Sequence, residues 1–495
     1  CSITMATRML RCAAVAIAST AVASAANIEC DLAIVGAGAG GAYAAWRAAE
    51  GGEKVCVFER SDRPGGRIHS IRNLGPKQDL VVEAGGYRFA IKTINFGADM
   101  VIKTPLTKAI VQELKLKNGI YNPIPTQWDH WMHKLVDEDN QDVGFLTLVE
   151  TMLHKAEEYG AKVRFESEVV AINLLEETPD QGLTVRLKSG DEVTAAKVLF
   201  NIPQRPLIQL LRNSDGPLRH VYPEPLYNPI SYGLLKLYVH YEDAWWQNYL
   251  GYSAGPFFNK DAGAPDPSLP AVGPAPLKGA YHDGDVRCDG PDGKCRGFLQ
   301  AYYGSDGIEV AGGSIGGAMR YYAPFIDAVR GDSATHIKPE YAAHHRVLLE
   351  EVHKSLVELH RAELDAKNLT AKISAMRPTE AVMSFWSEGV EGMFAGCHMP
   401  KRLVNGSFPP LDKLAEDSLE PIKGWPLYVA NEAFGHMRCF AEGSLAMANE
   451  AVKRMGIPDP LSGWLNDVEL EHGEVKMPMT DPFFLEDTIL RADEE

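Results

Sequence analysis

Residues 31–50, DLAIVGAGAGGAYAAWRAAE, decide the fold. Asp31 to Val35 has the apolar content of a buried strand, Gly36, Gly38 and Gly41 form a GxGxxG turn, and Ala42 to Glu50 has the pattern of a helix. Such a turn lets backbone approach a pyrophosphate, and the helix presents its positive N-terminus to the same anion. The next strand, Val55 to Phe58, ends in Glu59, 23 residues beyond Gly36, where a carboxylate accepts hydrogen bonds from the hydroxyls of an adenosine ribose. Arg60 stands beside it as a further candidate contact. A second donor-rich turn follows at Arg63-Pro64-Gly65-Gly66-Arg67. A nicotinamide dinucleotide does not require it, whereas a longer cofactor needs further phosphate contacts there, so the expected cofactor is FAD.

Beyond these turns, CDLAIVGAGAGGAYAAW, VCVFERSDRPGGRIHS and VVEAGGYRF form the first of four blocks. The others are KVRFESEVVAINL (162–174), YGLLKLYVHYEDAWW (232–246) and LYVANEAFGHMRCFAEGSLAMANEAV (427–452). Together, from about Cys30 to Arg454, they resemble the flavin amine oxidase superfamily of monoamine, polyamine and L-amino-acid oxidases. The wording of the first block is most similar to the secreted gastropod L-amino-acid oxidases of ink, mucus and albumen gland. The resemblance implies an α/β chain in which a Rossmann-like FAD domain is interleaved with an α+β substrate domain. It also implies that Val169 meets the adenine through its backbone and that Lys236 is hydrogen-bonded to water beside flavin N5. The helix after Phe440 would face the flavin pyrimidine. Gly85 and Gly86 of the GGY turn, Trp386, Glu432 and Glu442 complete the implied cofactor set.

On that pattern the chain divides into a signal segment (1–26), a first FAD segment (27–98), a small cap (99–144), a second FAD segment (145–226), the main substrate segment (227–391), a third FAD segment (392–457) and a C-terminal tail (458–495). Within them we expect a helix from Phe145 to Tyr159, a strand from Val163 to Ile172 with a hairpin partner Leu183 to Leu187, and a strand leading to Pro203. We further expect loop from Ala254 to Gly297 and an amphipathic helix from Tyr341 to Leu364. The histidines of that helix, His344, His345, His353 and His360, read as exposed or cap residues, not metal ligands. The tail with Trp464 reads as a wrap or a flexible end.

Arg8 and Arg11 precede an alanine-rich run that ends in Ala23-Ser24-Ala25, the pattern of a cleavable secretory signal, with a mature start near Asn27. An extracellular destination agrees with the sequons at Asn368 and Asn405 and with the eight-residue loop from Cys288 to Cys295, whose turn residues suit a disulfide. His282 reads as an ordinary solvated residue, and no metal site is expected. With 49 basic against 66 acidic side chains the formal charge is −17, which disfavours nucleic acid and anionic membrane, and no later apolar run reaches spanning length. The expected partners are an amino acid and O2. Oligomeric state stays open, a homo-oligomer included.

Four residues carry the expected chemistry. Arg88 follows the GGY turn where L-amino-acid oxidases hold the substrate carboxylate; the alternative is a structural ion pair with Glu83. Lys236 would assist the reaction of reduced flavin with oxygen. His398 and Phe440 occupy the positions of the aromatic pair that flanks the substrate nitrogen in many amine oxidases, although the usual tyrosines are absent. His398 could instead serve as a base for the incoming ammonium group. Cys397 is either a covalent flavin tether, as in monoamine oxidases, or a buried free thiol. These readings point to a secreted FAD-dependent L-amino-acid oxidase. The alternatives are a polyamine or monoamine oxidase, and a non-catalytic defensive glycoprotein that retains FAD.

Overall fold

The computed structural model describes residues 28–96, 101–174, 182–259, 274–304, 321–325, 334–386, 396–401, 409–458 and 474–476. The signal segment, Asn405 and Trp464 lie outside them.

The opening strand runs Ile28–Val35 and its helix Ala39–Glu50, which starts three residues earlier than expected. The tight turn requires glycine: Gly36 has φ +99°, and a Cβ at Gly41 would strike the Gly36 carbonyl, so helix and strand could not pack. Ile28–Val35 sits at the centre of a seven-stranded sheet, parallel to Val55–Phe58 on one side and to Glu192–Phe200 on the other. Lys162–Arg164 and Leu427–Val429 extend the parallel pairing. Leu183–Leu187 and Val169–Leu174 add antiparallel strands at one edge. Strands far apart in sequence thus close one cofactor-type sheet. The helices Ala39–Glu50, Leu146–Glu158 and Ala441–Arg454 pack their apolar faces on its core.

The expected single strand Val163 to Ile172 is two strands on opposite edges of this sheet, interrupted at Glu166, whose φ of +52° turns the chain. Period-two alternation continued across the break and concealed it.

A second seven-stranded sheet is antiparallel, with Leu234–Tyr241 between Arg296–Gly304 and Glu380–Trp386. Its core is separate from the first. Part of the stretch expected to be loop supplies strands to it, Pro256–Phe258, Lys278–Ala280 and Val286–Arg287, because Phe257 and Leu277 bury their side chains despite the surrounding prolines and glycines. The expected long helix is Ala343–Leu359 followed, after a break at His360, by Arg361–Ala366. Leu348, Val352 and Leu356 face the core as expected. His345 and His353 are buried, neither exposed nor caps, whereas His360 is buried but does stand at the cap position between the two helices: His353 bonds Tyr241 Oη and Ile373 O, and His360 bonds Tyr281 Oη. Burial lowers the pKa of His353 and His360, with His353 pushed down to about 4 against the pull of the Ile373 carbonyl.

The stretch expected to be a small cap divides in two. Pro105–Glu113 packs against the Ala441–Arg454 helix, while Asn118–Ile120 and Met132–Leu135 form a three-stranded sheet with Phe89–Ala90. From the tail, Glu474–Lys476 adds a parallel strand to Thr93–Asn95.

All cysteines within the described residues are paired: Cys30–Cys56, Cys288–Cys295 and Cys397–Cys439. The second was expected; the third replaces both readings of Cys397. No helix among the described residues is long and apolar enough to cross a membrane.

Candidate active site

A cavity of about 780 Å³ runs from the first sheet to the second. That volume lies within the roughly 300–1,000 Å³ of cofactor and small-molecule sites. At one end it is lined by Gly36, Gly38, Glu59, Arg60 and Val169, and along its length by Gly65, Gly66, Arg67, Gly85 and Gly86. Gly41 lies behind this wall, packed on the Gly36 backbone. Glu59 Oε2 accepts from Ala37 N at 2.8 Å, and its Oε1 accepts from Ser61 N at 3.0 Å and Ser61 Oγ at 2.7 Å. A carboxylate has about four acceptor sites, so one remains for a ligand.

The middle of the cavity holds a charged knot. Arg67 pairs with Glu432, whose Oε1 also lies 2.6 Å from His398 Nδ1. Burial pushes the Glu432 carboxyl up, but Arg67 and His398 outweigh it and hold the group well below the usual carboxylate range. Burial lowers the His398 pKa despite Glu432, so the ring is neutral at pH 7. With Nδ1–H assigned to Glu432, Nε2 is the nitrogen that retains a lone pair. Glu442 does not join the site. Its carboxylate is buried and accepts from Leu106 N (3.0 Å), Thr107 N (2.8 Å) and Thr107 Oγ1 (2.7 Å), which caps the Pro105–Glu113 helix. Only the tertiary packing of that helix on Ala441–Arg454 presents these donors to it.

At the far end the cavity meets Lys236, Trp386, His398, Phe440, Tyr303 and Arg88. Trp386 Nε1 donates to Ala84 O at 2.7 Å, which fixes the indole against the wall. Lys236, 4% exposed, donates from Nζ to Gly85 O at 2.7 Å and Glu83 O at 3.0 Å and lies 3.6 Å from the Tyr87 ring centroid. Burial pushes its pKa down to about 7, against the pull of Asp283 and Glu83.

Arg88 has a side-chain exposure of 12% and sits among three rings, with its guanidinium carbon 4.7 Å from Tyr87, 4.7 Å from Tyr121 and 4.8 Å from Trp128. It does not pair with Glu83, whose carboxylate is taken by Ser70 Oγ and Phe145 N. Its nearest anion is Asp129, 3.8 Å away and beyond hydrogen-bond range. Asp129 is itself held by Asn122 Nδ2 at 2.6 Å and His282 Nε2 at 3.2 Å. Tyr121, Trp128 and Asp129 were not singled out in the sequence, although the aromatic density of 121–131 was a usable signal. His282 is the opposite of a solvated residue: its side chain is 4% exposed, accepts from Gly255 N and packs edge-on against Tyr121.

The donor set, glycine turns and volume fit a flavin dinucleotide lying along the cavity. Comparison with known proteins agrees on the class. Residues 34–94 match the family described as NAD(P)-binding Rossmann-like domain, and residues 120–274 match Flavin containing amine oxidoreductase. Among solved structures, a double mutant of putrescine oxidase from a redesign of its cofactor binding is similar at TM-score 0.53 and 15% identity, covering 87% of this chain and 100% of that one. A single mutant of the same enzyme is similar at TM-score 0.50 and 14% identity, covering 90% and 99%. That likeness shows the fold. The class that the fold and the family matches support is a flavin-dependent amine oxidoreductase.

Proposed function

We propose that the chain is a secreted, FAD-dependent L-amino-acid oxidase, which converts an amino acid, O2 and water to a 2-oxo acid, ammonia and hydrogen peroxide. The observation that carries this reading is Arg88: a guanidinium only 12% exposed on the cavity wall, whose fork donates to no described protein atom and whose nearest carboxylate stands 3.8 Å off. A substrate carboxylate offers the planar, bidentate partner that a guanidinium takes best. Bound FAD supplies the hydride acceptor. The chain's own residues bind, orient and move protons. Arg88 fixes the carboxylate and thereby the direction of the α-hydrogen. Tyr87, Tyr121 and Trp128 wall the site from water and desolvate that ion pair. His398 Nε2 takes the proton from the incoming ammonium group, leaving the neutral amine. With flavin bound, Lys236 would place a cation beside it and would stabilise the negative charge that passes to oxygen.

A second reading, oxidation of a di- or polyamine, draws on the Asp129 carboxylate in the same aromatic box. Arg88 stands against it, because a cationic amine would meet the guanidinium first. The Cys288–Cys295, Cys30–Cys56 and Cys397–Cys439 bonds and the exposed Asn368 of the first sequon support an extracellular setting. Peroxide-coupled turnover of the twenty L-amino acids, their D-enantiomers, putrescine and spermine tests the reading. L-amino acids alone should react; turnover of putrescine or spermine alone reverses it.

A further inference from the structure

Lys236 is a buried cation with no carboxylate within ion-pair distance among the described residues; its nearest partners are the carbonyls of Glu83 and Gly85. A buried charge persists only where an opposite charge and hydrogen bonds compensate its desolvation. Glu83 carries a carboxyl that burial and Asp142 push up, and its two oxygens already accept from Ser70 Oγ and Phe145 N. Arg88, on the turn that follows, repels the ammonium. Tyr87 and Tyr303 present neutral ring faces. The Glu380–Trp386 strand places Ser384 opposite Lys236 and adds no charge there. Asp283 remains. It is buried in the segment after Lys278–Ala280, and its Oδ2 accepts from Gln300 Nε2. Tyr238, two residues along the lysine's own strand, holds its hydroxyl 3.4 Å from Asp283 Oδ1 and 3.2 Å from the same Glu83 carbonyl that accepts from Lys236. Gln300 Nε2 also donates to that hydroxyl at 3.0 Å.

We propose that Asp283 is a positioning residue: fixed by Gln300 and set beside Tyr238 on the lysine's own strand, its carboxylate is the buried counter-ion that favours the charged form of Lys236. The inference rests on the role given to Lys236 above. Asp283 touches neither substrate nor flavin in this scheme and acts through the lysine. Its loss moves the Lys236 titration further to acid, so the ammonium is neutral at pH values where the wild-type group is charged.

The test uses the holoenzyme and Asp283→Asn, which keeps the shape of the side chain. Stopped-flow reoxidation of reduced enzyme by oxygen, followed against pH, should show its midpoint moved to acid by about one unit or more. Anaerobic reduction by the amino acid should be unchanged. Should D283N fail to fold, Tyr238→Phe removes the hydroxyl beside the Asp283 carboxylate and should give a smaller shift of the same sign. A second readout is independent of catalysis. The difference in Tm between D283N and its parent should vary with pH between 6 and 9, and should become independent of pH in a Lys236→Met background. Coupling in Tm with pH-independent reoxidation upholds the counter-ion and sinks the oxygen role of Lys236. An unmoved reoxidation midpoint together with no coupling in Tm overturns the inference itself.

Discussion

Cys397 and Cys439 are bonded to each other, and each is followed directly by a residue of the cavity wall, His398 and Phe440. One covalent link therefore ties together the strand and the loop that place these side chains on the cavity wall. It also excludes Cys397 as a flavin tether. Acid precipitation should leave the flavin in the supernatant, and the intact mass of the denatured chain should show no added flavin. Closing a loop over a separation of 42 residues limits the unfolded chain by at most about 4 kcal/mol. The double variant Cys397→Ser/Cys439→Ser should accordingly bind flavin yet unfold at lower temperature, and its KM should rise as the wall loosens. A Tm equal to wild type would count against this bracing role.

Arg88→Ala should keep its flavin spectrum and lose kcat/KM for L-amino acids by about 30-fold or more, from the ~2–5 kcal/mol carried by a buried charge-assisted pair. Steady-state kinetics with the preferred amino acid decide this. Unchanged constants would reopen the amine reading, especially if putrescine turnover persisted.

Lys236→Met should separate the two half-reactions. Reduced flavin should meet oxygen more slowly by about one order of magnitude or more, because a preorganised charge in a dry site is worth a few kcal/mol. Reduction by substrate without oxygen should change far less. Equal loss in both phases would make the lysine a structural support only.

Acid should weaken the packing around the second sheet through His353. Its folded pKa lies near 4, below the ordinary value of 6.5, so the unfolded chain takes up the proton first. The stability linked to the neutral ring is complete above pH 6.5 and falls as pH drops from 6.5 towards 4, by about 3 kcal/mol at most. Denaturant midpoints at pH 7 and pH 4.5 measure the fall. His353→Gln should be less stable at pH 7 and show a shallower decline, whereas a parallel decline would assign the acid sensitivity to other groups.

Local chemistry made the cofactor half legible. The glycines at 36, 38 and 41 obey a steric rule that acts within a few residues, so sequence alone determined the strand, turn and helix that stand at that end of the cavity. Apolar periodicity likewise fixed Val55–Phe58 and Leu183–Leu187 to the residue. Other features depend on partners far along the chain. Glu442 reads as a site residue until the donors of Leu106 and Thr107 meet it. His282 reads as surface until Asp129 and Tyr121 enclose it, and Cys397 reads as free or flavin-bound until Cys439 stands beside it. Arg88 shows the division within one side chain. Its place after the GGY turn was written in the sequence. Only the tertiary structure decided that its charge faces a cavity at 3.8 Å from Asp129 instead of closing on Glu83, because charge pairing is set by distance in space and by burial, neither of which a residue's neighbours in sequence specify.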